Sequence, residues 1–125
     1  MVTPRQAPTN FPGTLPEWLV WEELTRREIQ FDFQSNLFGG RRAKGGLVID
    51  FLIPPNLAFS VLGTFFHYSL GGTISKANDL IAREVLARQG ITLIYLDEAD
   101  VMVDVRRIVG LGLQRIDRSR MARHG

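Results

Sequence analysis

The segment from Asp50 to His67 constrains the fold most, because two apolar runs are separated there only by Pro54-Pro55-Asn56. Two adjacent prolines cannot both take part in a sheet ladder, and Pro and Asn are typical turn residues. The pattern therefore predicts two strands, 47–53 and 57–63, joined by a three-residue loop. An antiparallel hairpin of this kind sets which residues lie opposite each other.

A single carboxylate, Asp50, interrupts the first of these apolar strands. If Ile53 pairs with Leu57, counting back along the ladder places Asp50 opposite Ser60, on the face that also carries Leu62. An isolated carboxylate needs a cation, a hydrogen-bond donor or water when it is buried among apolar neighbours. Asp50 is therefore either a structural residue at a strand end, hydrogen-bonded by Ser60 or capping a loop, or a metal ligand.

The rest of the chain predicts one α/β domain, residues 14–113, between an extended N-terminal arm, 1–13, and a basic C-terminal tail, 114–125. A mixed sheet flanked by helices is expected, because helices and strands alternate along the chain. The predicted elements are a helix from Thr14, strands 31–34, 47–53 and 57–63, a helix from Thr73 or Ser75 to about Gln89, a buried strand 91–96, and a helix from Asp97 or Asp100 to about Leu113.

Composition excludes several classes of protein. The 125 residues include no cysteine, so neither a disulfide framework nor a thiolate metal site can form. No apolar run approaches the roughly 18 residues of a membrane span, and the polar N-terminus does not resemble a secretory signal. An intracellular, cytoplasmic protein, or one within a phage particle, is expected. HExxH, nucleophile-elbow and dinucleotide motifs do not occur.

Basic residues are concentrated in two places, although the net charge is only +2. One cluster lies in a Gly-rich loop that lacks the GxxxxGK[ST] order of a phosphate loop, and the other lies in the C-terminal tail. Such clusters either contact a polyanion or form ordinary solvated surface. The predicted nucleic-acid contacts are Arg41, Arg42, Lys44, Lys76, Arg115 and Arg118.

The combination of Glu17, Gln34, Ile49-Asp50-Phe51 and the string FSVLGTFFH at 59–67 resembles the PD-(D/E)XK nuclease superfamily. It is closest in pattern to the very-short-patch repair endonucleases and their small relatives. The resemblance covers about Thr14 to Leu113. It implies a restriction-endonuclease-like αβββαβ core, Mg²⁺ as the cofactor if the chain is active, and DNA rather than RNA as the favoured partner.

This chain departs from that pattern at two positions, with Ser60 and Leu62 where Glu and Lys are usual. Serine is a poor magnesium ligand, and leucine cannot stabilise a developing phosphate charge. The repair-endonuclease branch implies another ligand pair, Asp50 and the main-chain carbonyl of Val61, assisted by His67.

Two of the candidate catalytic residues also have structural interpretations. The spacing of Thr14 and Glu17 is that of a capping box, which uses the Glu side chain to bind the first backbone amide of the helix. His67 follows two phenylalanines at a strand end and is as consistent with a structural histidine as with a functional one.

Three hypotheses remain open. The chain is a nuclease-like domain with a depleted metal site that binds nucleic acid or serves in a nucleic-acid-associated assembly. Alternatively, it is an active Mg²⁺-dependent endonuclease that uses Asp50 and His67, with Glu17 as a further candidate. The third hypothesis is a structural or accessory component of a phage-type particle, held to protein partners or to other copies of itself by its N-terminal arm and C-terminal tail.

Overall fold

The computed structural model describes residues 6–34, 49–63 and 83–120. The basic loop at 41–44, His67, Lys76 and the start of the second predicted helix lie outside these residues. The elements are helix α1 (Leu15–Arg26), strands β1 (Asp32–Phe33), β2 (Phe51–Ile53), β3 (Leu57–Leu62) and β4 (Thr92–Asp97), and helix α2 (Glu98–Leu113). Residues 83–87, before β4, are also helical.

The strands form one mixed sheet in the order β1-β2-β3-β4. Strand β2 is antiparallel to both β1 and β3, whereas β3 and β4 are parallel. The predicted hairpin is confirmed, including its register, because Ile53 pairs with Leu57 across the turn. The expected mixed sheet flanked by helices is therefore present.

Both faces of the sheet are covered by helical residues, as alternating side chains require. On one face Phe51 and Phe59 form a cluster with Leu24 of α1 and Val109 of α2. On the other face Ala58 forms a cluster with Leu86 of the helical residues 83–87. The hairpin strands thus lie at the centre of the domain, buried from both sides.

Helix α1 begins at the predicted capping box. The Thr14 side chain accepts a hydrogen bond from the Glu17 backbone amide, and Glu17 Oε1 accepts one from the Thr14 amide at 2.7 Å. Pro16 lies in the first turn, where its missing N–H group has no helical partner to lose. The sequence and the structure agree on why this helix starts where it does.

Six aromatic rings form a closed circuit that joins α1 to the first two strands. Each ring contacts the next with centroids between 5.0 and 6.0 Å apart. The circuit runs through Phe11, Trp18, Trp21, Phe31, Phe51 and Phe33. Within this circuit Trp18 and Trp21 stack on each other and pack the helix against the strands.

Helix α2 consists of two helical segments with a break at Asp104, whose φ and ψ are −157° and 80°. Val101 before the break and Ile108 after it are buried, and Val105 packs at the edge of the same cluster. The apolar spacing of these three residues along the helix predicts the same inward face. No helix in the described part of the chain is long and apolar enough to cross a membrane.

Candidate functional site at the carboxyl edge of the sheet

One end of the sheet gathers the start of β2 and the ends of β3 and β4, because β2 is antiparallel to β3 and β4 is parallel to it. We call this end of the sheet the carboxyl edge. The residues considered there are Asp50, Val61, Gly63, Asp97 and Glu98. In open α/β sheets, ligands bind outside the carboxyl ends of the strands. The chemistry predicted for Asp50 therefore lies at a favourable place in the fold.

Asp50 lies in a β-bulge rather than in a regular ladder. Phe51 pairs with Phe59, and the Asp50 amide also donates to the Phe59 carbonyl at 3.1 Å, so two residues of one strand oppose one of the other. The packing agrees, because Ile49 and Leu52 belong to the same cluster although strict alternation would separate them. A bulge changes the direction of its side chains and is common beside functional sites.

The bulge overturns the predicted position of Asp50 opposite Ser60. The ladder ends at the Phe51–Phe59 pair, and Asp50 Oδ2 accepts a hydrogen bond from the Val61 amide at 2.7 Å. The Asp50 carboxylate thus accepts the Val61 hydrogen bond that a main-chain carbonyl of the neighbouring strand would accept in a regular ladder. Simple alternation failed here because it cannot show the extra residue that a bulge inserts.

The Asp50 carboxylate reaches the main chain of Val61, where it accepts a hydrogen bond from the N–H group. Metal binding by Asp50 and the Val61 carbonyl stays a prediction. Asp50 is only 6% exposed, and its carboxylate lies against the Val61 main chain. The N–H and C=O groups of one strand residue point to the same side of the strand, so the Val61 carbonyl also faces the Asp50 side. A buried carboxylate and a main-chain carbonyl are both oxygen ligands of the kind that Mg²⁺ accepts.

Gln34 is joined directly to the same site. The Gln34 backbone amide donates to the Asp50 carbonyl at 2.7 Å, and the Gln34 side-chain nitrogen donates to the Pro12 carbonyl at 3.1 Å. Gln34 has a positive φ of 53°, an uncommon conformation for a residue with a side chain. The end of β1 is thereby fastened both to Asp50 and to the segment before α1.

Glu17 lies close to this segment, but its carboxylate serves the helix cap. A Cβ atom at Gly13 would lie 2.8 Å from Glu17 Oε1 and 3.1 Å from the Phe33 ring, so the carboxylate is beside the residue before Gln34. Its Oε1 atom accepts the Thr14 amide. The structural interpretation of Glu17 is therefore confirmed, while its catalytic role stays a prediction.

Asp97 and Glu98 belong to the carboxyl edge and were not among the predicted site residues. Asp97 is 4% exposed; Oδ2 accepts the Arg120 amide at 3.0 Å, and Oδ1 accepts Arg120 Nε at 3.2 Å. Glu98 Oε2 lies 3.7 Å from the point where a Cβ on Gly63 would be. The signal that could have located both is their position immediately after the apolar strand run 91–96.

The two predicted basic contacts within the described residues, Arg115 and Arg118, both lie in the segment that follows α2. Arg115 donates to the Asn56 side chain in the hairpin turn, at the opposite end of the sheet from Asp50. Arg118 is exposed in the segment that follows α2. Arg41, Arg42, Lys44, Lys76 and His67 lie outside the described residues, so their predicted roles stay predictions. Among the described residues, no group of three His, Cys, Asp or Glu side chains is arranged to hold a metal ion.

Fold and site together define a mixed α/β domain with a carboxylate-bearing carboxyl edge. No protein-family model matches the chain, and neither the curated proteins nor the solved structures that were compared with it contain a match.

Proposed function

We propose that this chain is a nuclease-like domain of the PD-(D/E)XK kind with a depleted metal site, which binds nucleic acid, DNA in preference to RNA, without cleaving it efficiently. The observation that carries the proposal is the buried Asp50 carboxylate held against the main chain of Val61 at the carboxyl edge. A carboxylate so placed is expected in that superfamily, whereas the Glu and Lys that complete the site are replaced by Ser60 and Leu62.

The order of the elements supports the same proposal. The described residues run through α1, three antiparallel strands, the helical residues 83–87, the parallel strand β4 and helix α2. This order is compatible with the αβββαβ core that the resemblance implies. A likeness in element order is weaker support than the site itself, because one fold hosts many functions.

Binding of nucleic acid is tested by exchanging basic residues for alanine. We expect the triple variant Arg41→Ala, Arg42→Ala, Lys44→Ala to bind a labelled DNA duplex more weakly than the wild type, and the salt dependence of its binding to be shallower, because fewer phosphate contacts release fewer counterions. Fluorescence anisotropy at several salt concentrations measures both quantities. Arg88→Ala is the matched control, since Arg88 pairs only with its helical neighbour Glu84 among the described contacts. Equal affinity and equal salt slope in the triple variant and the wild type would exclude the proposal.

A second candidate, an active Mg²⁺-dependent endonuclease, is favoured by the contact between the Asp50 carboxylate and the Val61 main chain. Two protein oxygens with water could hold one Mg²⁺ ion, which would supply charge stabilisation at the phosphate. Asp50→Asn is the discriminating variant, because the amide oxygen of Asn can still accept the Val61 N–H. Mg²⁺-dependent nicking of plasmid DNA that disappears in this folded variant would establish the endonuclease. If the wild type does not nick DNA, the endonuclease is excluded and the first proposal, a nucleic-acid-binding domain, is retained.

A further inference from the structure

Strand β4 is the last strand of the described sheet, and its outer edge bears main-chain groups that face away from β3. Its first five residues, Thr-Leu-Ile-Tyr-Leu, are mostly apolar and favour strands, and Asp97 ends the strand. An exposed edge of this composition is a template for pairing with another strand. How the molecule covers this edge therefore bears on its behaviour in solution.

The edge is covered by a pair of oppositely charged side chains. The Tyr95 amide donates to Asp117 Oδ2 at 3.0 Å, and Arg83 Nη1 donates to the Leu93 carbonyl at 3.3 Å. Arg83 and Asp117 also form an ion pair at 3.3 Å. A carboxylate thus binds one outward donor and a guanidinium binds one outward acceptor, which are two of the groups that a neighbouring strand would otherwise bind.

The residues that follow α2 hold this pair in place along the length of β4. Arg115 contacts the hairpin turn at one end, and Arg120 contacts Asp97 at the other. Between them the Ser119 amide donates to Asp117 Oδ1 at 2.8 Å, and Ser119 is 1% exposed. The segment therefore packs against the sheet and does not extend from it.

We infer that residues 114–120, with Arg83, act as an edge guard that prevents β4 from pairing with the same strand of a second copy of this chain. The guard binds one main-chain donor and one main-chain acceptor of the strand through charged side chains. It leaves no continuous row of free groups at that position for another strand. The inference does not depend on the proposed binding of nucleic acid.

Asp117→Ala tests the guard directly. We expect the Tyr95 amide to exchange with solvent about tenfold faster, because it loses its acceptor. The mass measured by light scattering should also rise with protein concentration more steeply than that of the wild type. A variant that exchanges faster at Tyr95 but keeps the wild-type mass at every concentration would overturn the inference.

Loss of stability could also promote association, so two further variants separate the causes. Val109→Ala weakens the core on the opposite face of the sheet and provides a variant of reduced stability with an intact guard. Thr92→Lys adds a charge at an exposed position of β4 and should return Asp117→Ala to the wild-type mass. Association of Val109→Ala equal to that of Asp117→Ala at matched stability, or failure of Thr92→Lys to reverse it, would contradict the edge guard.

Discussion

At the residue scale, Asp50 shows how one side chain can interrupt the hydrogen-bond ladder between two strands. Its carboxylate accepts the Val61 amide, where the next residue of a regular strand would have offered a carbonyl. A short polar side chain can compete with the main-chain ladder in this way. The same contact buries the carboxylate at the edge where a ligand would bind, so local structure and candidate function share one residue.

Gly112 of α2 lies where the helix approaches the sheet most closely. A Cβ atom there would lie 2.8 Å from the Phe59 ring, and that ring is fully buried. We expect Gly112→Ala to lower the free energy of unfolding, because overpacking of about 1–3 kcal/mol outweighs a gain in helix propensity of about 1 kcal/mol. Urea denaturation followed by circular dichroism measures the difference.

Gly110, two residues earlier in α2, is the matched control. A Cβ atom there would lie 3.3 Å from Arg27 Nη2, the far end of a flexible side chain. Gly110→Ala should therefore leave the protein as stable as the wild type or more stable. Equal destabilisation by both substitutions would show that the close approach to Phe59 is not the cause.

Glu23 is a buried acid whose ionisation is coupled to folding. The pKa of Glu23 is lowered from 4.5 to about 2, because Arg26 and Arg27 donate hydrogen bonds to its carboxylate, with Arg26 contributing most and burial opposing them. A carboxylate with a lowered pKa in the folded state stabilises the fold above its unfolded pKa. This contribution is complete above about pH 4.5 and is lost as the pH falls towards about 2.

We therefore expect Glu23→Gln to be less stable than the wild type at neutral pH, with a difference that shrinks as the pH falls from 4.5 to about 2. Chemical denaturation at a series of pH values measures that difference. Glu84→Gln, at an exposed pair with Arg88, is the control and should show little effect at any pH. A Glu23→Gln difference that does not vary with pH would contradict the coupling.

At the scale of single elements, α2 shows a boundary inside what the apolar spacing predicts as one helix. Asp104 leaves helical geometry, and its Oδ1 atom accepts the Arg107 amide at 3.2 Å. This is the hydrogen bond of an N-cap residue, made three residues ahead. The second half of α2 thus has its own cap, which the spacing of Val101, Val105 and Ile108 did not indicate.

Asp104→Ala tests that cap. We expect a loss of about 1 kcal/mol in the free energy of unfolding, because the Arg107 amide loses its acceptor. Asp104→Asn keeps an acceptor oxygen and should lose less than half as much. If α2 behaved as one continuous helix, alanine would instead stabilise it through its higher helix propensity. Thermal denaturation of the three proteins distinguishes the two outcomes.

At the scale of the whole molecule, the sheet organises residues that are distant in the sequence. Its carboxyl edge brings Asp50 beside Val61, and Asp97 beside Arg120. Its outer edge brings Arg83 to Asp117. The C-terminal segment, predicted as a basic tail, packs on this sheet as far as Arg120. Arg115 therefore lies at the hairpin turn, whereas Arg118 lines a pocket with Asp97 and Asp100 near the carboxyl edge.

The local features of the sequence determined the hairpin, the capped start of α1 and the mixed α/β order of the elements. Each depends on residues close together in the chain: Pro54-Pro55-Asn56 forms the turn, and Thr14 with Glu17 caps the helix. Only the tertiary structure decided the bulge at Asp50 and the covering of β4 by Asp117. The reason is physical, since a main-chain group binds whichever donor or acceptor the packed fold places beside it, and that partner need not be near in the sequence.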